Sequence, residues 1–320
     1  MALSEDGYSK LKDEVFKKEM LEKYSDFIDD MDLFIAYMME YPPQTVRVNT
    51  LKADLEIVVE SLESQGFKLE RLPWCNYGFK VEGEMPVSKT LEHTLGYIYL
   101  QDGASMIPPL ALDLKPGLNV LDLCAAPGSK TTQIAQIMGN SGCIVANDVK
   151  ISRIKALTSN IQRLGVVNTI ITMVDGRRMP RRTSTRFDRV LVDAPCSGIG
   201  EARRNWAPLR QWAQRRVESY MRLQRMLVVA GFDLLKPGGI MVYSTCTLDP
   251  EENEFVIQHL IENRRDAVIL GFNPNLRYEK GLTEWHGRSL HNDLSKTIRV
   301  YPHHNDTQGF YVAKIGREEA

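Results

Sequence analysis

Near the start of the chain, apolar side chains recur at helical spacing. Leu11, Val15, Phe16, Met20, Leu21 and Tyr24 share one face. This predicts a helical segment over residues 8–40, ended by Tyr41-Pro42-Pro43 because proline lacks the N–H that a continuing helix needs. Gln44–Leu51 reads as a strand and Asp54–Gln65 as a short amphipathic helix stopped by Gly66. Phe67–Leu72 and Tyr77–Val81 read as further strands. From residue 119 the pattern changes to alternation. Apolar runs at Asn119–Cys124, Cys143–Asn147, Thr169–Val174, Arg189–Val192 and Ile240–Ser244 predict strands. Helices are predicted between them: at Lys130–Met138, where Ile151, Ile154, Leu157, Ile161 and Leu164 share a face, and over 208–235 up to Lys236-Pro237-Gly238-Gly239. Asp249-Pro250-Glu251-Glu252 reads as a helix start, with Asp249 as N-cap. Repeated βα units predict an α/β fold, a doubly wound parallel sheet, preceded by a small α+β module. Such sheets bind ligands at the carboxyl ends of their strands.

The loops at those ends hold the candidate chemistry. LDLCAAPGSKT (Leu121–Thr131) is a strand, a tight turn and a helix start, without the glycine spacing of a P-loop or a dinucleotide fingerprint. Gly128 at a helix N-terminus still offers free N–H groups to a polar ligand. Asp148 follows twenty residues later, the spacing of an acid that grips a ribose; a helix-capping role is the plain alternative. Asp175 and Asp193 end the next two strands, so these three acids are expected to line one crevice. Cys196 in DAPCSG and Cys246 in STCTLDPEE should reach the same place. A free cysteine is commonly a small buried hydrophobe, as Cys75 and Cys143 read. Cys196 and Cys246 sit instead among turn residues, and the helix expected after Cys246 should favour its thiolate. A thiol, an acid and a nucleoside cofactor together suit methylation of cytosine. Its carbon 5 is a poor nucleophile until a thiolate adds at carbon 6, and a carboxyl beside N3 eases that addition.

These motifs, together with NDV, YSTCT with PEENE, RVNTLK (Arg47–Lys52), LQDGASMIPP (Leu100–Pro109) and NDTQGFYVAKI, resemble the Sun family of S-adenosylmethionine-dependent RNA cytosine-5 methyltransferases. The resemblance runs from about residue 44 to the end and implies a class I, Rossmann-like methyltransferase sheet. It divides the chain into an acidic helical segment (1–40), an RNA-binding module (41–92) and the methyltransferase domain (93–320). By the same resemblance Cys246 is the attacking thiolate, Cys196 assists breakdown of the adduct, and Asp193 and Lys130 lie beside the base. Cys124, Ala125, Ala126, Pro127, Gly128, Ser129 and Lys130 would cradle S-adenosylmethionine. Asp148 would hold its ribose and Asp175 its adenine side, with Arg153 and Asp193 completing the set. Ser129 stands where the family commonly has glycine, which is harmless unless its backbone is left-handed. A DNA cytosine-5 methyltransferase would use Cys196 instead. A non-catalytic RNA-binding or ribosome-assembly factor would keep the fold alone.

Composition narrows the partners. With 43% hydrophobic and 25% charged residues, the 320-residue chain is ordinary for a globular protein. No apolar run approaches the ~20 residues of a membrane span, and the polar opening MALSEDGYSKLKDEVFKKEM is no secretory leader. A cytoplasmic monomer without membrane contact is expected. Five cysteines without a C-x-x-C pair argue against a disulfide framework and against zinc. No metal is expected, and His303-His304 reads as loop surface. The net charge of −1 hides an asymmetry: residues 1–40 carry 11 acids and 5 bases, whereas residues 177–225 carry 13 arginines, no lysine and 4 acids. Arginine is the better phosphate fork, so Arg177, Arg178, Arg181, Arg182, Arg203 and Arg204 are predicted to clamp structured RNA; a solvated helix face is the alternative. The resemblance to compact members of the family implies tRNA as the RNA, before rRNA. Arg47 and Asn49 are expected RNA contacts in the small module. Trp74 and Tyr77 are either base-stacking or core residues.

Overall fold

The computed structural model describes residues 11–319; the part of the first predicted helix that falls on residues 8–10 lies outside them. The N-terminal segment is more than one helix. α1 (Lys18–Tyr24) and α2 (Met31–Met39) are separated by a turn, and Asp30 opens α2 by accepting from the Leu33 N–H at 2.9 Å. Their apolar faces (Met20, Tyr24, Phe34, Met38) pack on Ile199, Leu209, Trp212, Leu248 and Tyr301. β1 (Gln44–Val48), α3 (Leu55–Ser64), β2 (Lys68–Leu72), β3 (Cys75–Glu82) and β4 (Ile98–Leu100) follow. Their strands form an antiparallel sheet in the order β2-β3-β1-β4. α3 falls within the helix predicted over Asp54–Gln65, and Asp54 caps it by accepting from the Glu56 and Ile57 N–H groups.

The main sheet is built from β5 (Asn119–Asp122), β6 (Cys143–Asn147), β7 (Thr169–Thr172), β8 (Phe187–Asp193), β9 (Leu235–Thr245), β10 (Ala267–Leu270), β11 (Ile298–Val300) and β12 (Phe310–Arg317). The order is β11-β12-β9-β8-β5-β6-β7, with β10 paired to β12 and a two-residue edge strand, Glu279–Lys280, beyond β11. β5 to β9 are parallel, whereas β12 runs antiparallel to β9. The crossovers α4 (Ser129–Ile137), α5 (Ile151–Arg163), α6 (Gln214–Asp233) and α7 (Glu254–Asn263) cover the two faces, with one apolar core on each side. Strand order reverses at β5, between β6 and β8, which opens a crevice above these strand ends. This is the α/β sheet with helices on both faces expected from the sequence, with antiparallel strands added at one edge. β9 runs through Lys236-Pro237-Gly238-Gly239 rather than starting after it, and a register shift opposite Phe187/Arg189 absorbs the irregularity.

Two expectations fail for reasons of tertiary contact. Asp249 does not cap a helix: a short 3₁₀ turn, Pro250–Glu252, precedes α7, and the Asp249 side chain makes no capping bond. Its buried carboxylate accepts instead from Lys23 Nζ (2.8 Å), the Tyr24 hydroxyl (3.0 Å) and Trp212 Nε1 (3.2 Å). Lys23 also reaches Glu251 at 2.7 Å. The acidic N-terminal segment, without a role in the sequence reading, thus braces the chain three residues beyond Cys246. Nor is His303-His304 loop surface. Both side chains are buried, with His303 Nε2 2.9 Å from Asp29 Oδ1 and His304 Nε2 3.1 Å from Oδ2. Burial opposes ionisation of Asp29, but the two imidazole hydrogen bonds outweigh it and hold the carboxyl at about 2. Arg277 pairs with the same carboxylate at 2.9 Å. The trio therefore fastens the turn between α1 and α2 to the body of the protein.

Candidate active site

β8 and β9 are parallel neighbours, so the loops after Asp193 and Thr245 leave the sheet side by side. This brings Cys196 Sγ to 3.1 Å from Cys246 Sγ, and both are free thiols. Close backbone packing holds the pair. The Gly200 N–H donates to Cys246 O (2.8 Å) and the Gly309 N–H to Gly200 O (3.0 Å). A Cβ at Gly200 would lie 2.0 Å from Gly309 O, so only glycine fits there. On the other wall Lys130 Nζ donates to Asp193 Oδ2 (2.7 Å) and Ser105 Oγ (3.0 Å), while the Ser244 hydroxyl donates to Asp193 Oδ1 (2.7 Å). Burial works against the Lys130 ammonium, but the Asp193 charge and hydrogen bond outweigh it and raise its pKa.

The Cys246 thiol is not lowered, as the expected helix dipole implied. Its hydrogen bond with Cys196, its burial and the charges of Glu201 and Asp193 push it well above the usual range. The helix that was to favour the thiolate begins only at Glu254, beyond the 3₁₀ turn.

Two adjoining hollows lie over the strand ends. The first, about 600 Å³, is lined by Leu123, Asp148, Asp175, Arg177 and Met226 among others. The second, about 560 Å³, holds Asp122, Ser105, Lys130, Asp193, Cys196, Cys246, Arg204 and Gln308. Cys124, Arg153, Pro195 and Tyr220 face both. The three strand-end acids are therefore divided: Asp148 and Asp175 face one hollow and Asp193 the other. Ala125, Ala126, Pro127 and Ser129 line the second hollow. Gly128 opens α4 with φ 106°, where a Cβ would also meet Leu157 at 2.9 Å. Ser129 is the first residue of α4 and is not left-handed, so replacing glycine there costs nothing. Asp148 Oδ1 accepts from the Lys150 N–H (3.1 Å). Arg153 Nη1 lies 3.3 Å from Asp148 Oδ2 but out of hydrogen-bond alignment, which leaves that buried oxygen without a partner. A buried carboxylate oxygen without a hydrogen-bond partner fits the hydroxyls of a nucleoside. The first hollow offers Asp148 and Asp175, the second the glycine-opened turn, and Cys124 and Arg153 join the two, so the cofactor expected from the sequence suits the place where they meet.

Asp175 is engaged by Arg177, which donates to both of its oxygens at 2.9 and 2.7 Å; these bonds lower the Asp175 pKa. Arg177 is therefore spent on Asp175. Three further predicted RNA contacts are interior. Arg47 is fully buried and donates to Gln101 Oε1 (3.0 Å), Thr132 Oγ1 (2.7 Å) and Gln136 Oε1. Buried Asn49 donates to Gly96 O (2.8 Å) and Leu164 O (2.9 Å). Arg203, also buried, pairs with Asp306 (2.8 Å) and donates to Thr307 O (3.1 Å). Each satisfies distant backbone or side-chain groups, which no local pattern reveals. Arg178, Arg181, Arg182 and Arg204 are exposed. Trp74 is half-buried and donates to Gly103 O (2.9 Å), a packing role; Tyr77 is half-buried too.

The sequence reading missed Asp122, at the end of β5, which accepts from Thr131 Oγ1 (2.7 Å) and which burial pushes up to about 7. A fourth acid at a strand end was the available signal. Ser105, Ser244, Glu252 and Asn253 carry no signal of their own beyond lying in the quoted motifs.

Residues 109–316 match the family described as 16S rRNA methyltransferase RsmB/F, and residues 14–103 match the N-terminal domain of 16S rRNA methyltransferase RsmF. A protein named tRNA (cytosine(49)-C(5))-methyltransferase from Pyrococcus abyssi is 43% identical over 300 residues, covering 93% of this chain and 95% of its own. Ribosomal RNA small subunit methyltransferase F of Vibrio campbellii is 41% identical over 89% of this chain, which spans 59% of that relative's length. A crystal structure of a methyltransferase homolog protein from Pyrococcus horikoshii superposes with a TM-score of 0.87 at 37% identity, over 99% of this chain and 100% of that one. Among the described residues no helix is long and apolar enough to cross a membrane.

Proposed function

The chain belongs to the RsmB/F family of 16S rRNA methyltransferases, and we propose from that premise that it methylates carbon 5 of a cytosine in structured RNA through a bond between Cys246 and the base. We favour tRNA over rRNA, because the relative named for tRNA aligns along nearly its whole length. The observation that carries the covalent route is the pair of thiols 3.1 Å apart at the ends of neighbouring strands, facing Lys130 and Asp193 across one hollow.

A base inside a helix must leave its stack to reach that hollow. Asp193, bridged to Lys130, meets the N3/N4 edge, and a proton from water on the open side of the hollow reaches N3 through the Asp193 carboxyl. Cys246 loses its proton to water on the open side of the hollow. Its sulfur then bonds carbon 6 as the C5=C6 pair moves to carbon 5. Asp148, Arg153, Asp175 and the Cys124–Lys130 turn would hold S-adenosylmethionine, which would supply the methyl group to carbon 5 and leave as the thioether. Cys196, its own proton given up to water on the open side of the hollow once the Cys246 sulfur is bonded, then removes the carbon 5 proton as thiolate. The freed pair restores the double bond, the S–C6 bond breaks, Cys246 leaves as thiolate, and N3 returns its proton.

RNA carrying 5-fluorocytidine tests this, because carbon 5 then has no proton to lose. A denaturing gel should show a covalent complex with the wild-type protein and none with Cys246→Ala. A complex undiminished in Cys246→Ala but lost in Cys196→Ala would overturn the assignment in favour of a DNA-type nucleophile. Bisulfite sequencing of total RNA with and without the protein names the nucleotide.

A further inference from the structure

Two consecutive residues beyond Cys246, both wholly buried, each grip one cysteine loop. Glu252 Oε2 accepts the Ser197 N–H (3.0 Å) and the Gln224 amide (2.8 Å), and the same amide donates to Pro195 O (2.9 Å). The residues on both sides of Cys196 are thus held through one carboxyl. Asn253 does the same for Cys246: its Oδ1 accepts from the Thr245 hydroxyl (2.6 Å) and its Nδ2 donates to Thr247 O (3.0 Å). The Ser197 and Thr247 hydroxyls, 2.7 Å apart, tie the two loops together, and the Tyr243 hydroxyl anchors Glu252 to β9 by donating to its carbonyl (2.6 Å).

Helix capping does not account for these side chains, since neither the 3₁₀ turn nor α7 has a side-chain cap. Nor does packing alone, because a buried carboxyl is costly and Glu252 Oε1 has no partner. Neither residue lines either hollow, so neither touches base or cofactor.

We propose that Glu252 and Asn253 are a paired positioning clamp that sets the separation of the two thiols, Asn253 aiming Cys246 for addition and Glu252 aiming Cys196 for release. The inference rests on the covalent route proposed above. Each residue serves a different step, so losing each should leave a different trace. Without Asn253 the adduct forms slowly. Without Glu252 it forms but persists.

The full-length protein is incubated with S-adenosylmethionine and a pool of unmodified tRNA transcripts. Covalent adduct on a denaturing gel and methylated product are both counted per folded protein, with the folded fraction taken from a thermal melt. Glu252→Ala should raise the adduct-to-product ratio about tenfold or more, as Cys196→Ala should, while Glu252→Gln keeps the acceptor oxygen and stays near wild type. Asn253→Ala should lower adduct and product together, by about 10²-fold at an unchanged ratio. If the alanine variant at 252 does not fold, Glu252→Asp reads the same ratio with a shortened reach. A loss that only tracks the folded fraction, with the ratio unmoved in both variants, overturns the clamp. An adduct that survives Cys246→Ala instead overturns the covalent route itself, and the clamp falls with its premise.

Discussion

Replacing Arg47 separates an interior role from an RNA contact. The guanidinium is fully buried, has no carboxylate partner among the described residues, and rests on Gln101, Thr132 and Gln136. Thr132 keeps a second bond to Ser129 O at 3.1 Å, so Arg47→Ala orphans chiefly the Gln101 and Gln136 side-chain oxygens. Two orphaned acceptors cost roughly 4 kcal/mol together. The lost methylene stem costs roughly 2 kcal/mol more. In the other direction, burial lowers the Arg47 pKa from 12.5 to about 10, so removing the charge returns roughly 3 kcal/mol. The net expectation is a destabilisation of about 3 kcal/mol, a fall in melting temperature of about 4–5 °C for a chain of this length. No phosphate contact goes with it. The slope of log binding constant against log salt, measured with a tRNA transcript below the melting range, should therefore match wild type. A slope smaller by about one with an unmoved melt would show that Arg47 sits on the RNA backbone and not in the interior.

Three other outcomes follow from the same contacts. Lys23→Ala leaves the buried Asp249 without its cation, and chemical denaturation should show a loss of about 3 kcal/mol together with weaker methyl transfer, because the loop beyond Cys246 loses its brace. Gly200→Ala drives a methyl into Gly309 O at 2.0 Å; methyl transfer should fall by about 10²-fold, and activity near wild type would mean that this backbone approach does not position Cys246. Burial, aided by Asp249, raises the Glu252 pKa from 4.5 to about 8, so the folded state holds a proton that the unfolded chain has released. Its contribution is complete below the unfolded pKa and is lost as pH rises towards the folded one, roughly 2 kcal/mol between pH ~5.5 and ~7.5. Buried Asp122, raised to about 7, adds to the slope in the same window, so denaturant titrations should show Glu252→Gln lowering the slope by about this amount, and an identical slope in the variant contradicts the assignment.

Much of this protein is written locally. Apolar period marks α5 and the parallel strands, Asp54 and Gly66 bound α3, and Gly128 marks the turn where the first strand meets its helix. Parallel βα units then place Asp148, Asp193, Cys196 and Cys246 at the carboxyl ends of strands, so the chemistry of the site follows from residue types and their order. Periodicity and turn chemistry act over a few residues, which is why one chain suffices to show them. Contacts between residues far apart are decided by packing alone. Arg47 resembles a phosphate fork until Gln136, 89 positions on, closes over it. Asp249 looks like a cap until Lys23, 226 positions back, claims its carboxylate. The Cys246 thiol is raised rather than lowered because folding buries it against Cys196 and near two acids. Burial and partnership reverse the meaning of a charged or polar side chain without altering the letters around it.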